Sequence, residues 1–391
     1  MEQIKSKTKF PFYLFLTYVI YYCGHAVFNT YHSVFLSQSG FSESAIGLIG
    51  SIGTIILLLV QPLWGILSDR SGHKSRIAGA LMIMSGLTCL AIYLSKSLWW
   101  IAGCVIVLTI FFTPSTTLQD NCTLELTEGT GWDFGNIRLG GTIGYALFAL
   151  VMGFFIKSYE SIYCWLALFC MIAGVMFFMI RMNHTAPTEK KKKEKMHYGA
   201  LFRNKALICL IIYNILYSIS GTFGRYFSIY FAQELGATTL MLSLATMISC
   251  PLELPCFWYA GRIQKKLGIR NTLTLAALTQ ITKMILLAVV TDPWAVVAVH
   301  VIGGCSFPFF NFCVLNYIND QVPNDMRATA QSFSAILASI FPSILFAPIA
   351  GICSDYFGCQ ITLVIGATIL LCSMLGFRLV FGKLTKGQPG M

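Results

Sequence analysis

Gly65-Ile-Leu-Ser-Asp69-Arg70-Ser-Gly72-His-Lys74-Ser-Arg76 closes one long apolar run and introduces the next. A looser copy, Gly261-Arg262-Ile-Gln-Lys265-Lys266-Leu-Gly268-Ile-Arg270, does the same about 195 residues later. A Gly-framed basic turn at matching places in two halves is the layout of a membrane protein built from a repeat. In such a turn the glycines let the chain reverse tightly and pack against neighbouring helices. Asp69 can meet a cation or a helix N-terminus and latch one conformation. Arg70, Lys74 and Arg76 are expected among lipid headgroups. A loop that only set topology would not need Gly and Asp at this spacing, so Gly65, Asp69, Arg70 and Gly72 are candidate gating residues.

The flanking composition excludes a soluble fold. Of 391 residues, 56% are hydrophobic and 11% charged, with a mean hydropathy of +0.71. That is too little charge to cover a soluble surface. The apolar residues gather into about twelve runs long enough for a spanning helix of roughly 20 residues. Six lie in each half, from Phe10–Leu36 to Ile162–Ile180 and from Ala206–Phe231 to Ile361–Phe381. The first is too long and aromatic for a signal peptide and lacks a cleavage site, so it counts as a helix. The expected fold is an all-α membrane protein of twelve transmembrane helices in two pseudo-symmetric six-helix bundles.

With an even number of spans, both termini share a side. Lys5, Lys7, Lys9, the two basic turns, Lys190–Lys195, Arg327, Arg378, Lys383 and Lys386 fall there, while the opposite loops carry only Lys96 and Lys157. The positive-inside bias makes the basic side cytoplasmic in a multi-pass cell-membrane protein. The net charge of +11 therefore reports topology, and nucleic acid is not an expected partner. Most of the 14 cysteines sit inside apolar runs, as Cys23, Cys104, Cys170, Cys209, Cys313 and Cys372 do. They read as small packing residues with no metal-ligand spacing, so no disulfide, metal or cofactor is expected.

The one long polar segment contains Pro187 and Glu189-Lys-Lys-Lys-Lys193-Glu194-Lys195. Its self-repelling charge reads as a cytoplasmic linker over 182–204, a solvated tether or a lipid-headgroup contact, between bundles at 1–181 and 205–391. Tyr18, Tyr22, His25 and Asn29 form a helical stripe in the first run, echoed by Tyr213, Tyr217 and Ser220 in the seventh. Such stripes line a cavity or make interhelical hydrogen bonds.

Ionised groups inside the spans cost about 2.5–3.5 kcal/mol each on insertion scales. At about 1.5 Å of rise per residue, Glu253, Lys283 and Arg225 each fall near mid-membrane on three consecutive runs. They can neutralise one another only by facing inward. Glu253 stands in Pro251-Leu-Glu253-Leu-Pro255, where two prolines break the helix and free backbone carbonyls. One reading has Glu253 bind a coupling proton, with Lys283 and Arg225 controlling its release; the other is a structural ion pair, a poor stabiliser. Asp120 and Arg138, near the inner ends of the fourth and fifth runs, read equally as interfacial caps or cavity groups.

At this point the chain resembles the major facilitator superfamily over essentially its whole length. Gly65–Arg76 is similar to the superfamily's signature between its second and third helices, with Gly261–Arg270 the degenerate copy. Asp133-Phe-Gly-Asn-Ile-Arg138-Leu-Gly-Gly141-Thr-Ile-Gly144-Tyr145 and Tyr317-Ile-Asn-Asp-Gln-Val-Pro323-Asn-Asp-Met-Arg327-Ala-Thr-Ala-Gln331 resemble the branch of proton symporters containing lactose permease, nucleoside permeases and phenylpropionate permease. The resemblance implies that Arg138 and Asp120 contact solute, that Tyr145 stands where a tryptophan stacks on the sugar, and that Lys283 replaces an arginine. Where lactose permease carries a proton-handling His and Glu, this chain has Gly303 and Ser306, which leaves Glu253 as the candidate proton carrier.

The expected protein is thus a transporter and not an enzyme. It would import a small polar organic solute (nucleoside, glycoside or oligosaccharide) with protons by alternating access, as a monomer in the bilayer. Asp120, Arg138, Tyr145, Asn29, Tyr22 and Tyr217 would hold the solute, and Glu253, Lys283 and Arg225 would couple protons. The alternative is proton-driven efflux of drugs or metabolites, disfavoured because the fifth run lacks the Gly-Pro pair typical of exporters.

Overall fold

The structure, a computed structural model, describes residues 10–128, 130–180, 204–322 and 327–384. Among them every regular element is helical, the arrangement that lets apolar runs satisfy their own backbone groups inside a bilayer. The first half contributes α1 (Phe12–Gln38), α2 (Glu43–Ser71), α3 (Lys74–Ala91), α4 (Leu98–Thr127), α5 (Phe134–Phe155) and α6 (Ile162–Phe178). The second contributes α7 (Lys205–Thr222), α8 (Phe227–Gln233), α9 (Thr239–Met247), α10 (Cys250–Leu267), α11 (Ile269–Val289), α12 (Pro293–Gln321), α13 (Arg327–Phe341) and α14 (Ala347–Leu384).

Nine helical stretches among the described residues are long and apolar enough to cross a membrane, or ten if the bent pair Thr239–Glu253 and Pro255–Leu267 is one span. The chain is a multi-pass membrane protein. Eleven of the twelve apolar runs fall on these stretches, the bent pair included; the first run, on α1, is outside them. The last two occupy α13 and α14, where Phe333–Leu384 runs for 52 residues, more than twice the ~20 of one crossing. α14 breaks within that stretch at Gly358, whose φ of 82° suits a residue without a Cβ. α1 has a crossing's length, 27 residues, but carries tyrosines, histidines and Asn29 and is not among the stretches apolar enough to cross.

The chain divides into two compact units: Met1–Phe41 with Ile52–Lys190, and Ser42–Ser51 with Lys191–Met391. The sequence reading put the whole of 1–181 in one bundle, whereas the first residues of α2 group with the second unit. Most of the expected linker, 182–203, lies outside the described residues, as do Lys5, Lys7, Lys9 and Lys386. In the first unit α1 packs on α5 and α6, and α3 on α4 and α6. In the second, α11 packs on α12 and α14, α7 on α14, and α10 on α12.

Both units bury tyrosines inside and turn apolar side chains outward. Tyr18, Tyr21, Tyr31, Tyr163, Tyr213 and Tyr226 are almost wholly enclosed, while Leu59, Leu63, Phe154, Phe155, Val289 and Leu379 are exposed. Large exposed apolar surfaces belong in contact with acyl chains.

Candidate functional site

In the first unit the polar stripe of α1 meets α4 and α5. The approach of α1 to α5 depends on glycine: a Cβ on Gly144 would stand 2.2 Å from the Val19 carbonyl oxygen. One turn earlier, a Cβ on Gly141 would meet Arg138 Nη1 at 2.6 Å and the Tyr22 ring at 2.9 Å. These glycines leave the space in which Arg138 reaches α1.

Arg138 Nη2 donates to Tyr22 Oη at 2.5 Å, and the guanidinium carbon lies 4.2 Å from the Tyr22 ring centroid. Arg138 Nε is 3.6 Å from Asp120 Oδ1, the oxygen that also accepts from Tyr18 Oη at 2.8 Å. Tyr18 Oη is 3.1 Å from Thr123 Oγ1 as well. His25 continues the stack, its ring 4.9 Å from that of Tyr22 and 4.3 Å from that of Phe112, with Nε2 3.3 Å from Thr116 Oγ1. The result is a half-buried carboxylate–guanidinium pair on an aromatic wall. It joins three helices within their lengths, Arg138 a full turn inside α5 and Asp120 two turns before the end of α4. Tyr145 lies half-buried two turns beyond Arg138 on α5, and Asn29 is exposed one turn beyond His25 on α1.

The basic turn joins α2 to α3. Gly72, at φ 66°, makes the reversal. Lys74 Nζ sits 3.3 Å from Asp69 Oδ1 and also donates to Glu125 on α4, so the partner of Asp69 is the first residue of α3. This corrects the expectation that Lys74 lies among headgroups: the tight turn folds it back between two carboxylates, with only 26% of its side chain exposed. Arg70 is exposed. Gly65 does not serve close packing, since a Cβ there would meet nothing within 4 Å. It lines a cavity of about 270 Å³ with Ser68, Asp69, Lys74 and Glu125.

A third copy of the turn escaped the sequence reading. Gly351-Ile-Cys-Ser-Asp355-Tyr-Phe-Gly358 repeats the Gly, Ile, Ser, Asp and Gly of Gly65–Gly72 at the same spacing. Gly358, like Gly72 and Gly268, has positive φ. The identical spacing was the available signal; the missing lysines and arginines hid it.

In the second unit the stretch Thr239–Glu253 and the stretch Pro255–Leu267 meet at a 47° bend, at the break just before Pro255. That bend carries Glu253, half-buried, whose electrostatic partner is Lys283 of α11. Lys283 lies across α12 at Gly303, where a Cβ would stand 2.8 Å from Nζ. Ser306, one turn on, donates to the Ala276 carbonyl at 2.8 Å and shares a 2.5 Å hydrogen bond with Tyr217 Oη. The Tyr217 ring stacks on Phe310 at 3.7 Å. Gly303 and Ser306 therefore have definite work: one leaves room for the lysine, the other ties α7 to α11 and α12.

Arg225 is not gathered with Glu253 and Lys283. The seventh run breaks over Phe223–Tyr226, between α7 and α8, so a uniform helical rise does not place this residue. It is exposed and donates from Nη2 to Ser343 Oγ at 3.3 Å, in the π-helical turn Pro342–Phe346.

Comparison with known proteins agrees with this architecture. The MFS_1 like family matches residues 12–365. Maltose permease of Geobacillus stearothermophilus is 25% identical over 336 residues, covering 84% of this chain and 83% of its own. Sucrose permease of Escherichia coli is 21% identical over 400 residues, covering 96% and 92%. The crystal structure of the nucleoside transporter NupG superposes with a TM-score of 0.81 at 17% identity, over 95% of this chain and 98% of that one. The chain belongs to the MFS_1 like family; it is a membrane transporter and not an enzyme.

Proposed function

We propose that this member of the MFS_1 like family imports a small polar organic solute, a nucleoside, glycoside or oligosaccharide, together with protons by alternating access. The observation that carries the reading is the Asp120–Arg138–Tyr22 constellation. A carboxylate accepts hydroxyl protons, a guanidinium donates to ring oxygens, and the aromatic wall offers apolar contact to a sugar or base. A few oriented polar groups beside aromatic side chains suit a hydroxylated, uncharged solute. Tyr145 and Asn29 extend that surface within the first unit, and Tyr217 is taken as a solute contact of the second. The names of the permease and nucleoside-transporter relatives support the same class.

Proton coupling is assigned to Glu253, with Lys283 as the cation that stabilises its ionised form. Arg225 would act from the α7–α8 break rather than by contact with that pair. Asp69, Arg70, Gly65 and Gly72 would govern the conformational step at the α2–α3 turn. The protein works as a monomer in the cell membrane with both termini cytoplasmic, on the side marked by its basic loops. In reconstituted vesicles, Glu253→Gln is expected to abolish accumulation driven by a pH gradient while solute exchange continues. Uphill accumulation by that variant removes Glu253 from the mechanism.

A further inference from the structure

The third copy of the Gly–Asp turn holds the start of a helix. Asp355 Oδ1 accepts the Glu43 amide at 2.8 Å and Oδ2 accepts the Ser44 amide at 3.0 Å. Both donors are first-turn N–H groups of α2, which have no partner inside their own helix. The contact is close because residue 351 is glycine: a Cβ there would stand 2.5 Å from the Glu43 carbonyl oxygen. Nearby, Tyr226 Oη donates to the Ala347 carbonyl at 2.7 Å and Ser51 Oγ to the Ser343 carbonyl at 2.9 Å.

Seating α2 in this way carries the Glu43 carboxyl into acidic surroundings. Asp355 and Glu234 both act on it, and Tyr226 and Cys359 feel its charge in turn. None of the described groups acting on it is a cation; Arg225, beside Tyr226, donates to Ser343 instead. Glu43 Oε2 is buried with no hydrogen bond of good geometry. The neighbouring Ser354 is 6% exposed, and its hydroxyl is the one group beside the carboxyl that favours its ionised form; burial first, and then Asp355 and Glu234, oppose it. The two carboxylates differ in kind. Asp355 is compensated by two amides and the positive end of a helix. Glu43 is half-buried with two like charges beside it and only the Ser354 hydroxyl in its favour, surroundings that suit the neutral acid better than the anion.

We propose that Glu43 is a second proton-carrying group of the transport cycle, protonated while α2 is seated on Asp355, its deprotonation driving the first turn of α2 off α14. The closed junction requires the proton, because ionised Glu43 would add a third negative charge beside Asp355 and Glu234. The role rests on the transport reading above, but the protonation itself is measurable without any solute.

Two measurements test it. Infrared titration of the purified wild-type protein is expected to show a protonated-carboxyl carbonyl band that Glu43→Gln lacks. An undiminished band in that variant overturns the proposal. Solute exchange in reconstituted vesicles is expected to show a pH step that Glu43→Gln removes. Glu234→Gln, by taking away a like charge, should shift the step to lower pH. Exchange in Glu43→Gln with the wild-type pH step overturns the proposal and leaves the transport reading standing. Wild-type protein that exchanges none of the solute classes overturns the transport reading, while the infrared band still decides the protonation of Glu43.

Discussion

Arg138 divides one planar cation between a carboxylate and a phenol, a geometry that an ammonium on a flexible stem does not reproduce. Arg138→Lys is therefore expected to lower solute uptake, and Tyr22→Phe to cost about 1.5 kcal/mol, roughly tenfold in uptake at low solute concentration. Initial rates in vesicles measure both; wild-type rates in the two variants would remove the pair from solute binding. Gly303 makes a different prediction. The atom a methyl would meet is the free end of Lys283, so Gly303→Ala should change thermal stability little while displacing the ammonium. Accumulation under a pH gradient should fall more than exchange does, and equal losses would mean that the lysine's place does not matter for coupling.

At the scale of elements, the glycines of the α2–α3 turn have unequal duties that their shared motif conceals. Gly72 has positive φ, where a side chain costs about 1–2 kcal/mol. Gly65 faces open space inside α2. Gly72→Ala should lower the melting temperature, whereas Gly65→Ala should leave it unchanged and show any effect in transport rate alone. Differential scanning fluorimetry in detergent separates the two. A Gly65→Ala protein that melts as early as Gly72→Ala would mean that the glycine packs in a way this structure does not show. The same scale explains Arg225. Sequence reasoning extended one helix through Phe223–Tyr226, but the chain turns there, and the guanidinium meets Ser343 instead of the Glu253–Lys283 pair.

Over the whole molecule, the proposed orientation rests on the positive-inside bias of the loops. The Lys190–Lys195 segment should be cut by a lysine-directed protease added to inside-out vesicles and spared in intact cells; the reverse pattern would invert the assigned topology. The sequence by itself determined that this is a helical membrane protein of repeated halves, because span length, hydropathy and loop charge add up residue by residue along the chain. It also singled out Asp120, Arg138, Glu253 and Lys283, since a charge in an apolar run is conspicuous without coordinates. Which charges meet was decided only by the tertiary structure. Helix rotation, glycine-permitted approach and local breaks bring Arg138 onto Tyr22, fold Lys74 back onto Asp69 and seat α2 on Asp355. Such contacts depend on directions in space that residue spacing along one helix does not encode.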